Sequence, residues 1–117
     1  MLSCDEFVKL RECAKSLGLA VLSESHNLDE IKLLLDGGAD IIGINARNLK
    51  TFATDLNLVK ELMSAIPADA VKVAESAIAG HADIVALQQC GADAFLIGET
   101  VMRAADPGAK LRELIYG

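Results

Sequence analysis

Helical and extended stretches alternate along this chain, each marked by the spacing of its apolar residues. Ser3-Cys4-Asp5-Glu6 reads as a capping box, and Phe7, Leu10, Cys13, Ala14 and Leu17 then recur at helical spacing until Gly18. Leu19 to Ser25 follows as a strand. Asn27-Leu28-Asp29-Glu30 is a second capping box, with Leu28, Ile31, Leu34 and Leu35 as its apolar stripe and Gly37-Gly38 as its stop. Asp40 to Asn45 is the next strand, followed by a polar loop from Ala46 to Thr54. Asp55 can cap a helix that carries Leu58, Leu62, Met63 and Ile66, and Pro67 ends it. Val71 to Ser76 is the third strand, and a helix from about His81 to Cys90 places Ile84, Leu87 and Cys90 at three-residue steps. Ala94 to Ile97 is the fourth strand. A short helix starts near Gly98, and Asp106-Pro107 opens the last one with proline at its first position.

The order αβαβαβαβα, with short connections and continuously apolar strands, leaves a parallel sheet with right-handed crossovers as the economical arrangement. Strands of this kind normally close into a barrel of about 250 residues. This chain has 117, so the pattern describes half of such a barrel in one domain spanning 1–117. Gly38-Ala39-Asp40 recurs as Gly91-Ala92-Asp93, and Glu24-Ser25 as Glu75-Ser76, each about two βα units apart. Duplication and a general preference of αβ turns for Gly-Ala-Asp both account for the echo.

Every strand ends in a polar or glycine cluster: Glu24-Ser25-His26, Asn45 with Arg47, Glu75-Ser76, and Gly98-Glu99-Thr100. In a parallel α/β sheet all carboxyl ends face the same side, so the four clusters converge on one rim, where ligands bind. Burial at a strand end raises a carboxyl pKa toward the range useful for proton transfer, which singles out Glu24 and Glu75. Arg47 suits a planar anion through paired N–H bonds. Ser76-Ala77-Ile78 and Gly98-Glu99-Thr100 follow the last two strands, where barrel loops and a short helix present N–H groups to phosphate. His26 and His81 read as local caps or surface residues, Asp36, Asp40 and Asp93 as turn formers. Lys9, Arg11, Lys15, Lys32 and Lys60 read as solvated helix faces.

Composition narrows the function classes. Hydrophobic residues make up 52% of the chain but aromatics only 3%, so aliphatic side chains and alanine must build the core. A net charge of −6 argues against nucleic acid or an anionic membrane as partner, while leaving room for one small anion held by backbone N–H groups. Cys4, Cys13 and Cys90 lack paired spacing and are expected to be structural thiols in a reducing compartment. No spacing of His, Cys or carboxylates suggests a metal site. No basic and apolar leader and no run of ~18 apolar residues is present, so a soluble cytoplasmic chain is expected.

Four stretches carry a resemblance: Leu22-Ser23-Glu24-Ser25-His26, Gly43-Ile44-Asn45-Ala46-Arg47-Asn48-Leu49, Val73-Ala74-Glu75-Ser76-Ala77-Ile78 and Phe95-Leu96-Ile97-Gly98-Glu99. In order and separation they resemble the strand-end motifs of indole-3-glycerol phosphate synthase. The resemblance implies half of a (β/α)₈ TIM barrel, from the helix before strand 5 through helix 8. It implies a lyase of tryptophan biosynthesis that closes the indole ring of 1-(2-carboxyphenylamino)-1-deoxyribulose 5-phosphate, losing carbon dioxide and water without cofactor or metal. Carried across residue by residue, Glu24, Asn45 and Glu75 match the catalytic set, with Asn45 near the reacting ring and Glu75 contacting substrate. Arg47 and Ser76 match substrate-binding residues. Ser76, Ala77, Gly98 and Glu99 match the phosphate cradle.

The family's essential lysines, one of them a general acid, lie on early strands outside the matched segment, as does a glutamate of the first strand. Without a positioned ammonium to protonate the carbonyl as the ring closes, a loss of several orders of magnitude is expected for the chain alone. Ser25 stands where a β-branched core residue is usual, so its hydroxyl needs a partner. Ala77 stands where a glycine lets the backbone approach phosphate. Four strands leave two open edges, which invite pairing with another chain. Two copies rebuilding eight strands, or a separate N-terminal half, are the expected partners. A non-catalytic sugar-phosphate-binding half-barrel or assembly module is the alternative. A related barrel acting on another aminosugar phosphate is a third reading, opposed by the stretch from Asn45 to Leu49.

Overall fold

The computed structural model describes residues 3–45, 56–75 and 78–117. The elements are α1 (Cys4–Ser16), β1 (Ser23–Ser25), α2 (Leu28–Asp36), β2 (Ile41–Ile44), α3 (Leu56–Ser64), β3 (Val71–Ala74), α4 (His81–Cys90), β4 (Ala94–Phe95), α5 (Glu99–Met102) and α6 (Pro107–Tyr116). The four strands form one sheet in the order β1-β2-β3-β4, all pairs parallel. The expected loop from Ala46 to Thr54 and the expected cap Asp55 lie outside the described residues.

The helix starts follow the local chemistry of their caps. Ser3 Oγ accepts from the Glu6 N–H at 3.2 Å, while Glu6 Oε1 receives the Ser3 N–H at 3.4 Å. Asn27 Oδ1 accepts from the Glu30 N–H at 2.9 Å, but the reciprocal bond from the backbone comes from His26, one residue earlier than in the usual box. Asp106 caps α6 through the Ala109 N–H, with Pro107 opening the helix.

The repeated Gly-Ala-Asp has a physical account in the turns. Gly38 and Gly91 take φ of 85° and 115°, a left-handed conformation that ends a helix. The following N–H groups of Ala39 and Ala92 reach back to Leu34 O and Leu87 O, and both alanines are buried. Asp40 then accepts the Val71 N–H, and Asp93 donates its own N–H to Lys72 O, so each turn feeds directly into the ladder. Asp40 does more than form a turn: Arg11 and Lys15 reach it at 3.6 and 3.4 Å, so these two bases are not simply solvated.

Across a parallel sheet, paired residues point to the same face, and successive residues alternate. Ser25, Ile44, Ala74 and Phe95 form one register row, and Ile42, Ile44 and Ala74 belong to the core beneath the helices with Ile31, Leu62, Leu87 and Leu114. Each large aliphatic side chain so buried contributes about 1.5–3 kcal/mol of transfer free energy. Glu24, Gly43, Val73 and Ala94 form the alternate row on the opposite, inner face.

Two strands are shorter than their apolar runs predict. The ladder of β1 begins at Ser23 rather than Leu19, and that of β4 ends at Phe95 rather than Ile97. Both are edges with a neighbour on one side alone, so the outlying apolar residues have no second strand to hold them. Leu22 and Leu96 remain 42 and 52% exposed. Ser25 is fully buried, and its hydroxyl finds the required partner by donating to Gly43 O at 2.9 Å.

Candidate active site

The ladder continues past the strand ends: the Asn45 N–H donates to Ser25 O at 3.0 Å and the Glu75 N–H to Ile44 O at 3.1 Å. Asn45 and Glu75 are thereby fixed two residues beyond Gly43 and Val73, on the face of the row that holds Glu24. Asn45 Nδ2 donates to Glu24 Oε1 at 3.2 Å. The structure therefore brings Glu24, Asn45 and Glu75 to one rim, as their positions in the sequence predict.

Glu75 folds back over Gly43. A Cβ built on Gly43 would fall 2.5 Å from Glu75 Oε2, so the missing side chain is what admits the carboxyl group. Glu75 Oε2 is buried and has no hydrogen-bond partner among the described residues. Burial pushes its pKa above the usual glutamate value of 4.5, the nearby Glu24 carboxylate adds to the rise, and His26 partly opposes it. A carboxyl poised in this way holds a proton to higher pH than a solvated one, as a group exchanging protons with a ligand requires.

Glu30 joins this site although the sequence places it only in a helix cap, and His26 links it to Glu24. His26 Nε2 lies 3.1 Å from Glu24 Oε1, and its Nδ1 lies 3.4 Å from Glu30 Oε1. His26 is exposed beside the α2 cap, as its position in the sequence predicts, and it also joins the rim through Glu24. The hints in the sequence are its place in the Glu24-Ser25-His26 strand-end cluster and its i,i+4 spacing to Glu30. His81, by contrast, lies away from the rim and is not the expected local cap or surface residue: partly buried, its Nδ1 is 2.9 Å from Leu114 O, which ties the start of α4 to α6.

At the end of β4, Gly98 caps α5 and Glu99 pairs with Arg103 at 2.8 Å. Thr100 Oγ1 donates to Ile78 O, tying the start of α5 to the segment after β3. Arg47, Ser76 and Ala77, expected at the substrate and its phosphate, lie outside the described residues. Among the described residues, two apolar grooves follow the open edges of the sheet. One of about 420 Å³ is lined by Phe7, Leu10, Arg11, Val21 and Ser23, and another of about 320 Å³ by Ile84, Phe95, Ile97, Leu111 and Leu114. The first is also lined by Glu24, and neither by Asn45 or Glu75. Among the described residues, no three His, Cys, Asp or Glu side chains gather to hold a metal, and no helix is long and apolar enough to cross a membrane.

The model of the indole-3-glycerol phosphate synthase family matches residues 1–114. Indole-3-glycerol phosphate synthase of Koribacter versatilis is 49% identical over 106 residues, covering 91% of this chain and 41% of that protein. The enzyme of the same name from Polynucleobacter necessarius is 44% identical, covering 97% of this chain and 42% of that protein. The chain thus spans less than half the length of these relatives. Among solved structures, thiamine phosphate pyrophosphorylase from Pyrococcus furiosus superposes with a TM-score of 0.77 at 19% identity, over 93% of this chain and 52% of that one. A 3-hexulose-6-phosphate synthase gives 0.73 at 20% identity, over 96% and 56%. At such identities the likeness establishes the fold, four parallel strands and flanking helices as in TIM barrels. With a family model matched over nearly its whole length and relatives close to half identical, the chain belongs to the indole-3-glycerol phosphate synthase family.

Proposed function

We propose that this chain supplies the second-half rim of an indole-3-glycerol phosphate synthase site. The reaction is ring closure of 1-(2-carboxyphenylamino)-1-deoxyribulose 5-phosphate with loss of carbon dioxide and water. The observation that carries the proposal is the Asn45–Glu24 hydrogen bond, 3.2 Å, beside the buried carboxyl of Glu75. Closure needs a proton delivered to the carbonyl oxygen, and the ring regains its electrons as carbon dioxide leaves; dehydration needs a proton delivered to the departing hydroxyl and one removed from the adjacent ring carbon. Glu24 serves as the proton-handling carboxylate, Asn45 aligns it beside the reacting ring, and Glu75 contacts the substrate. Arg47 and Ser76 bind the substrate, and Ser76, Ala77, Gly98 and Glu99 cradle its phosphate. No metal or cofactor takes part in this reading.

The ammonium that protonates the carbonyl comes from outside the 117 residues. We assign it to strands that pair with the open edges of β1 and β4, contributed by a complementary N-terminal half; association of two copies closes the edges without supplying it. The test mixes the purified chain with a separately expressed first half of the Koribacter versatilis relative and follows the indole product by fluorescence. Little or no turnover by the chain alone, and turnover on mixing that Glu24→Gln abolishes, supports the reading. Saturable binding of the substrate without turnover in the mixture replaces it with a non-catalytic sugar-phosphate-binding module.

A further inference from the structure

Glu30 sits in the first turn of α2 with little of its side chain exposed, held there by three contacts to one oxygen. Its Oε1 accepts the His26 N–H at 3.2 Å and the Asn27 Nδ2–H at 3.3 Å, and lies 3.4 Å from His26 Nδ1. The other ring nitrogen, Nε2, lies 3.1 Å from Glu24 Oε1, the same oxygen that receives Asn45 Nδ2. A neutral imidazole donates from one nitrogen only, whereas the doubly protonated ring donates to both carboxylates at once. Among the described residues, the groups around the ring are Glu30 from α2, Glu24 from β1, the neutral Asn45 beyond β2, and Glu75 beyond β3, whose carboxyl feels the His26 charge.

We propose that Glu30, His26 and Glu24 form an orienting chain in which His26 is a positioning residue that fixes Glu24 Oε1 against Asn45. The inference rests on the reading of Glu24 as the proton-handling carboxylate. It deepens that reading by naming what holds the group in place. The helix cap holds Glu30, Glu30 holds the imidazole, and the imidazole with Asn45 holds one carboxylate oxygen of Glu24. Two fixed contacts on Oε1 set the direction of the second oxygen as well, so a chain of local bonds aims the reactive group.

The test uses the full chain and needs no turnover, so its failure is separate from failure of the proposed reaction. Glu30→Gln keeps an oxygen that can accept the His26 and Asn27 donors, so α2 stays capped while the charge facing the ring is lost. His26→Gln removes the ring itself. By NMR, both variants are expected to shift the side-chain amide signals of Asn45, which neither substituted residue touches. Both are expected to move the carboxyl titration midpoint of Glu75 upward, since the opposing His26 charge is lost or displaced. The double variant is expected to add nothing to His26→Gln alone. Thermal melts accompany the spectra, and Glu30→Asp replaces Glu30→Gln if the latter unfolds, with the same shifts expected from its shorter reach. In the completed barrel, kcat falls on the order of tenfold with KM unchanged. If a folded Glu30 variant leaves both the Asn45 signals and the Glu75 midpoint where they were, the orienting chain does not exist.

Discussion

The carboxyl of Glu75 occupies the space that a side chain on Gly43 would take, with Oε2 2.5 Å and Cδ 2.6 Å from the position of the absent Cβ. Gly43 sits in the middle of β2, in register with Glu24 on one side and Val73 on the other. One missing methyl thus lets a glutamate from β3 lie back against the sheet beside the carboxylate of β1.

Gly43→Ala separates this role from stability. The atoms in the way belong to the far end of a flexible side chain, so Glu75 is displaced while the strand stays intact. Chemical denaturation is expected to show a change within about 1 kcal/mol, helped by the lower entropy of the unfolded alanine chain. The Glu75 midpoint is expected to fall toward 4.5 as its carboxyl leaves the buried position. An unchanged midpoint in a folded variant contradicts the arrangement.

Glu75→Gln has a pH signature. The pKa of Glu75 is higher folded than unfolded, so the folded state binds its proton more tightly. Ionisation therefore disfavours folding as pH rises from the unfolded value through the folded one, and the penalty is complete above both. The variant is expected to melt above the wild type at pH 7, with the difference vanishing as pH falls below 4.5. A difference that is independent of pH would assign the effect to packing.

Ser25→Ala removes a buried hydroxyl that donates to Gly43 O. The expected loss is about 1 kcal/mol in urea unfolding, the net contribution of one such bond. A loss near zero would mean that the bond contributes nothing in a site with no exposure to water.

The open edges predict association. At micromolar concentration the chain, 12.4 kDa as a monomer, is expected to sediment as a larger species. Leu96 is half exposed on the inner face, so Leu96→Lys costs the folded monomer within about 0.5 kcal/mol and is expected to restore monomeric sedimentation. A wild-type chain that stays monomeric refutes self-association.

The sequence displays most clearly whatever depends on neighbouring residues. The caps at Ser3, Asn27 and Asp106, the stop at Gly91 and the limits of α4 are local interactions, and the structure has them where the pattern places them. Glu24, Asn45 and Glu75 were legible because parallel strands present their ends on one side. The starts of β1 and the end of β4 were not, because strand assignment depends on a partner that Leu19 and Ile97 lack. The roles of Gly43 and His26 were hidden for a related reason. A glycine inside an apolar run looks like strand filling until a side chain from another strand is seen lying on it, and a histidine before a helix looks like a cap until Glu24 is seen beside it.

β2 and β3 each have neighbours on both sides, whereas β1 is held along three residues and from one flank only. Backbone amides should exchange with deuterium soonest in the outermost strands and last in the middle pair. Asn45 and Glu75 extend from that slow-opening middle, while Glu24 rides on the fraying margin. The three groups are therefore mounted on supports of unequal stiffness, and whatever braces the margin also tunes how steadily Glu24 meets the other two.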